Sequence, residues 1–313
     1  MSIQTGGGTL TETQAGVKKV LWRPSNALVT LVIFMLPAFI LFTTFVMLPM
    51  IDAAHFSLYK WNGYGSPTDF VGLQNFERLA GNRIFLHSFG NSLKIIGTSL
   101  FIQLPLALVL ALLIYEKHWS NTVFRLIFFL PYILAEVASG LIWSFIFDGD
   151  YGLAAEIARW LHVDNFYILA NREWAFTAIM TVIVWKYFGF HMMIYIAGLQ
   201  SIPKDQIEAI TIDGAGPLQV IRYVKLPALK PALTMSVFFS VIGAMQVFDI
   251  IIPLTNGGPS NLTHTIVSFL YTFGLQRMNI GFGSAVGIIL FLFCATFAFT
   301  YRSTFQREKG TAR

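Results

Sequence analysis

The sequence predicts an all-α integral membrane protein with six transmembrane helices and both termini in the cytoplasm. Three observations carry that reading. The 313 residues are 55% hydrophobic and only 12% charged, against about 25% charged in a soluble domain. Apolar runs long enough to cross a bilayer as helices, about 20 residues each, recur near 27–51, 92–115, 126–147, 175–199, 232–254 and 281–301. The runs lack period-two alternation, and backbone groups in hydrocarbon must be satisfied within the segment, which favours helices over strands.

The elements follow in chain order. Residues 1–26 read as a polar tail, Gly/Thr-rich and then basic beside the membrane. The run at 27–51 is too long for the apolar part of a signal peptide and is expected to be a retained first span. Pro37, Pro49, Pro105, Pro131 and Pro253 fall inside runs and predict kinks or short ends rather than lost spans. The outer segment 52–90 carries Trp61, Tyr64, Phe70 and Phe76, suited to an interfacial aromatic layer, with turns at Gly63, Gly65 and Pro67. In 148–174 the spacing of Leu153, Ile157, Trp160 and Leu161 predicts a short interfacial helix. Asn256-Gly257-Gly258-Pro259 marks a turn before the last span.

Charge sets the orientation. On the side of the termini lie Lys18, Lys19, Arg23, Lys117, Arg125, Lys204, Arg222, Lys225, Lys230, Arg302, Arg307, Lys309 and Arg313. The opposite segments hold only Lys60, Arg78, Arg83, Arg159, Arg172 and Arg277, while Lys94 and Lys186 lie within spans. This bias puts the termini, the tail 302–313 and the 200–231 loop in the cytoplasm. The net charge of +5 is therefore mainly a topology signal, not a nucleic-acid surface.

Several function classes are excluded by what the sequence lacks. It has no G-x-x-x-x-G-K-S/T phosphate loop, no H-E-x-x-H and no G-x-S-x-G. Its six histidines have no metal-ligand spacing, so no metal site is expected. The single cysteine, Cys294, lies in an apolar run and reads as a packing residue. No catalytic residue and no cofactor is assigned to the chain.

The loop IEAITIDGAGPLQVIRYVKLPALKP at 207–231 interrupts this apolar pattern. Pro203 starts a short helix, and Asp205 and Glu208 complement its dipole. Asp213-Gly214-Ala215-Gly216 ends it, glycine being the usual left-handed cap. Pro217 starts a second short helix, with Leu218, Ile221 and Val224 on one face. Leu226-Pro227 is expected to stop it, because a residue before proline avoids the α region. The product is a helix–turn–helix foot on the cytoplasmic face.

That foot resembles the EAA loop of ABC-importer permeases, whose pattern is E-A-A, three residues, G, nine residues, I-x-L-P. Here Glu208-Ala209-Ile210 is followed by Gly214 and by Val224-Lys225-Leu226-Pro227 at that spacing, with Ile210 and Val224 as apolar departures. FVGLQNF, LPYILAEVASGLIWSFIF, AGLQSIPKDQIEAITIDGAG and FDIIIPLTNGGPS look like the carbohydrate-importer permeases of the maltose-transporter F-type and glycerol-3-phosphate-importer A-type. The resemblance covers roughly residues 30–301. It implies a type I ABC-importer permease fold. It also implies a heterodimer with a second permease, two copies of a cytoplasmic ATPase that bind ATP and Mg, and a periplasmic or lipid-anchored substrate-binding protein. The setting it implies is the cytoplasmic (inner) membrane of a bacterium or archaeon. Glu208, Ala209, Asp213, Gly214, Leu226 and Pro227 are then the ATPase-coupling residues. A secondary transporter or channel for a small polar solute is the alternative; it would need no foot of this spacing and more coupling carboxylates in the membrane.

Polar residues inside spans are candidates for the substrate path. Glu136 and Trp143 share a face of the third span; Tyr187, His191 and Tyr195 stack at i, i+4 and i+8 of the fourth; Gln246 and Asp249 lie in the fifth. Aromatic faces with amides and carboxylates suit a sugar ring, which offers apolar C–H faces and hydroxyl edges. For each residue the alternative is an interhelical polar clamp or packing between helices.

Overall fold

The computed structural model describes residues 24–162 and 167–310, with the side chains of 29–162 and 167–304. Lys18, Lys19, Arg23, Asp164 and Arg313 lie outside the described residues, as do the side chains of Arg307 and Lys309. The chain divides into two compact units between Ile51 and Asp52. Most of helix α1 (Val29–Phe56) belongs to the first. The second holds α2 (Gln74–Ala80), α3 (Arg83–Ile114), α4 (Trp119–Ile133), α5 (Glu136–Ile146), α6 (Leu153–Trp160) and α7 (Ala175–Gln200). It continues with α8 (Lys204–Ile212), α9 (Pro217–Ala228), α10 (Lys230–Gln246), α11 (Ile251–Thr255), α12 (Ile266–Leu275) and α13 (Ile280–Gly310). Among the described residues no strand forms, only an isolated antiparallel bridge between Tyr59 and Phe70.

α1, α3, α7 and α13 are each long and apolar enough to cross a membrane. The pairs α4/α5 and α9/α10 pass the same test together but are bent by 98° and 64°. Counting each pair as one span gives six. The run at 126–147 thus falls on a broken helix rather than a straight one. The break has a chemical cause. Pro131, in the last turn of α4, removes a backbone donor, and Leu134 and Ala135 turn extended, with ψ of 143° and 141°. The carbonyls freed there would be costly in hydrocarbon. Lys186, in the middle of α7 and 1% exposed, meets them: its Nζ donates to the carbonyls of Pro131 (3.1 Å) and Leu134. The chain resumes as α5 with Glu136 at its first position.

The run at 232–254 is broken too. α10 ends at Gln246, Val247 leaves the helix with ψ 119°, and α11 begins at Ile251. The carbonyl of Val247 accepts a 2.6 Å hydrogen bond from the buried Thr265 hydroxyl. Each break therefore has a side-chain donor from a distant segment.

The prolines at 49, 105 and 227 are accommodated within helices. Each follows a leucine that closes a π turn: Thr43–Met47 before Leu48-Pro49, Ser99–Gln103 before Leu104-Pro105, and Ile221–Lys225 before Leu226-Pro227. In all three the leucine N–H donates five residues back. The wider turn gives room for a proline ring that would otherwise strike the carbonyl four residues earlier. This corrects the expectation for the foot. Leu226 keeps helical angles (φ −63°, ψ −45°), and α9 runs through Leu226-Pro227 to Ala228 before the 64° bend.

α7 organises the second unit. It carries buried residues along its length and is apolar all round, as a helix surrounded by protein should be. Its first half packs Phe176, Ile179, Val182 and Ile183 against Ile95 of α3 and Ile250, Ile251 and Leu254 beyond α10. Its second half packs Met192, Tyr195, Ile196 and Leu199 against Ala107 and Ala111 of α3. A third cluster joins Leu79, Phe85, Phe269, Phe273 and Phe282. Glycines permit the tightest approaches. A Cβ on Gly189 would lie 2.0 Å from the Phe128 carbonyl oxygen, and one on Gly140 would lie 2.5 Å from Pro253 Cγ. These contacts seat α4 on α7 and α5 on α11.

Replacing Lys186 by Met keeps the side-chain length and removes the donor to the α4/α5 break. The expected cost is about 2–3 kcal/mol, read as a lower melting temperature of the purified chain. An unchanged melting temperature would show that the break does not depend on Lys186.

Candidate functional site

The two breaks face one cavity of about 370 Å³, bounded by residues of α3, α4, α5, α7 and α10 and by the segment after α10. Five of the seven residues expected on the substrate path line it: Glu136, Tyr187, His191, Gln246 and Asp249. The α4/α5 break sets Glu136 at a helix start, where its Oε1 accepts a short hydrogen bond from the Tyr187 hydroxyl. The α10 break turns out Gln246 and Asp249, both exposed. His191 is 3% exposed; its Nε2 lies 3.3 Å from Ser240 Oγ, and its buried Nδ1 has no partner.

Trp143 and Tyr195 are placed elsewhere. Trp143 packs its ring on Phe147 (centroids 5.0 Å apart) and Trp185 (5.3 Å), against the cluster around Ile179. Trp143 shares Glu136's face of α5 but lies two turns further along, beyond the cavity. Tyr195 is wholly buried beside Ala107, Ala111 and Met192, one turn beyond the cavity. Both are packing residues, the alternative that helical spacing left open.

The sequence reading missed other lining residues. Tyr132, Phe190 and Phe239 supply aromatic faces, with Tyr132 stacked on Phe190 at 4.8 Å and 22°. Gln103 and Ser99 of α3 and Ser240 of α10 supply polar edges. Gln103 carried a readable signal: an amide inside an otherwise apolar run, 2% exposed in the folded chain.

The second feature is the foot formed by α8 and α9. Gly214 takes φ +87°, which closes α8: the Ala215 N–H reaches the Ile210 carbonyl at 3.1 Å. The Gln219 Oε1 accepts from the Gly216 N–H at 2.7 Å and starts α9. Ile207 and Val224 pack inward on the cluster that holds Leu199, Ile202 and Leu229. The tip turns outward, with Ile212 85% and Leu218 81% exposed. Glu208, Ala209, Asp213 and Pro227 are exposed and Leu226 is half-buried, so all six expected coupling residues lie on this foot. Lys225 ties it to the end of α3: its Nζ donates to the Tyr115 hydroxyl at 3.0 Å and sits 4.5 Å from that ring's centroid.

The fold recurs in known proteins. A family model of binding-protein-dependent transport system inner membrane components matches residues 103–309. The sulfoquinovosyl glycerol transport system permease protein SmoG of Agrobacterium fabrum is 31% identical over 265 residues, 83% of this chain and 85% of that protein. The trehalose/maltose transport system permease protein MalF of Thermococcus litoralis is 31% identical over 269 residues, 86% of this chain and 91% of that protein. Among solved structures, a bacterial alginate ABC transporter in complex with an alginate pentasaccharide-bound periplasmic protein matches with a TM-score of 0.78. It is 25% identical and covers 92% of this chain and 97% of its own. With the type I permease fold and a family match that takes in the foot and most of the cavity's lining, this chain is a multi-pass membrane permease rather than an enzyme, and it belongs to the binding-protein-dependent transport system inner membrane components.

Proposed function

We propose that the chain forms half of the translocation path of an ATP-driven importer for a sugar or sugar derivative. A soluble binding protein, periplasmic or lipid-anchored, delivers the solute. A second permease completes the path as a heterodimer. Two copies of a cytoplasmic ATPase bind ATP and Mg, and one of them docks on the α8/α9 foot. The setting is the cytoplasmic membrane of a bacterium or archaeon, with both termini inside.

The observation that carries this reading is the chemistry of the cavity: aromatic faces from Tyr132, Phe190 and Phe239 beside the polar edges of Glu136, Tyr187, His191, Gln246 and Asp249. A hydroxylated ring needs both kinds of contact. The relatives whose names state a trehalose/maltose or sulfoquinovosyl glycerol system support the solute class. The excess of Lys and Arg in the segments on the foot's side supports the orientation. The exposed Ile212 and Leu218 at the foot's tip suit an apolar groove on a partner. The path from foot to cavity is continuous packing along α7, from Leu199 to Met192 and on to His191.

Three outcomes test it. Leu218→Asp changes a side chain that is 81% exposed, so folding is unaffected; the ATPase should no longer co-purify and uptake should fall at least tenfold. Wild-type attachment would remove the foot as the docking surface. Gly214→Val forces a β-branched residue to φ +87°, a strain of roughly 1–3 kcal/mol. Uptake in proteoliposomes should fall at least tenfold while the chain still inserts. Phe239→Ala should lower sugar uptake with ATPase attachment unchanged; equal uptake would take the cavity out of the path.

A further inference from the structure

Charge within the cavity is one-sided. Two carboxyl groups line it, Glu136 and Asp249, and no Lys or Arg does. Asp249 makes no hydrogen bond or ion pair among the described residues and is exposed. Glu136 accepts from the Tyr187 hydroxyl and also lies within electrostatic reach of Lys186. The nearest cation along the chain, Lys186, is the neighbour of Tyr187, but its Nζ is held by the carbonyls of Pro131 and Leu134 and the residue is 1% exposed. It therefore cannot swing into the cavity without orphaning the α4/α5 break.

The remaining polar atoms act as both donors and acceptors. Gln246 and the buried Gln103 each offer an amide, and the buried Nδ1 of His191 is unpartnered. A hydroxyl satisfies every one of these partners, because it donates to a carboxylate and either donates to or accepts from an amide or imidazole. A phosphate, sulfonate or carboxylate on the solute accepts only. It would meet acceptors of like charge at Asp249 and Glu136.

We propose that Glu136 and Asp249 make this wall of the pathway a charge filter, which passes neutral hydroxylated sugars and rejects sugars carrying a negative group. The filter rests on the reading of the cavity as a sugar path and names the solute class within it. Asp249 is the main element, since its carboxyl has no protein partner to neutralise it.

The test uses the assembled transporter in proteoliposomes loaded with ATP: this chain with its partner permease, ATPase and binding protein. The probes are glucose, maltose and trehalose, set against glucuronate, glucose 6-phosphate and trehalose 6-phosphate. The wild type should import its preferred neutral probe at least tenfold faster than the matched anion. Asp249→Asn and Glu136→Gln, which keep shape and hydrogen bonding, should each narrow that ratio by at least threefold. The binding protein is the same throughout, so a narrowed ratio reports on this wall alone. Equal wild-type uptake of neutral and anionic probes overturns the filter and leaves the sugar path standing. A ratio unchanged in both variants that still retain the ATPase also overturns it, since selection then lies outside this chain. Failure of all six probes to move removes the sugar reading itself, and the filter with it.

Discussion

The Lys186 ammonium, held against the carbonyls of Pro131 and Leu134, is the interaction on which the rest of the second unit depends. Hydrocarbon offers no water to a broken helix, so a chain that breaks at membrane depth must supply its own partners. Here a buried cation does so from the middle of α7. The consequence is geometric. With the break secured, α5 starts at Glu136 beside the cavity instead of continuing the line of α4, and Gly140 settles onto Pro253. An acidic residue at a helix start also meets the favourable end of the helix dipole.

The second break follows the same rule with a different donor. Thr265, from the segment before α12, takes the Val247 carbonyl, and the chain between Val247 and Ile250 presents Asp249. That segment is itself anchored: Asn91 of α3, wholly buried, donates to the carbonyls of Leu262 (2.7 Å) and His264 (3.0 Å). Two interruptions, each stabilised by a side chain distant in sequence, thus open a polar cavity between helices that are otherwise apolar. The foot lies at the far end of the same scaffold. Tyr115, at the end of α3, accepts from Lys225 through its hydroxyl and from Gln200 Nε2 through its carbonyl. A displacement of the foot would therefore bear on the helices that wall the cavity, which is a route by contiguous packing.

Much of this was legible in the residues. Six apolar runs, the Gly214 turn and the spacing from Glu208 to Pro227 define the membrane class and the foot, because length, hydrophobicity and capping are local properties. The cavity was legible in part. Glu136, Tyr187, His191, Gln246 and Asp249 stand out as polar groups where polarity is costly. Trp143 and Tyr195 share their helical face with lining residues, and only the packed structure decides how far along each helix the cavity reaches. Lys186 could be read as an ionisable group in a span; its partners are carbonyls more than fifty positions away and have no pattern in sequence. Leu226-Pro227 misled for a local reason. The residue before proline is biased against α angles, not barred from them, and the π turn at Ile221–Lys225 removes the separate clash of the Pro227 ring with the carbonyl four residues back.

The central claim is that the cavity between the two breaks is the solute path. Gly243 lines that cavity, and a Cβ there would meet nothing within 4 Å, so a cysteine fits. Cys294 is the only native cysteine and can be replaced by alanine, leaving Gly243→Cys as the sole thiol. The measurement is labelling of that thiol by a water-soluble maleimide in the assembled transporter, with and without saturating transported sugar. Ready labelling that the sugar slows at least fivefold is the predicted result. A thiol that stays unlabelled in every nucleotide state, or labels equally with and without the sugar, would contradict the claim.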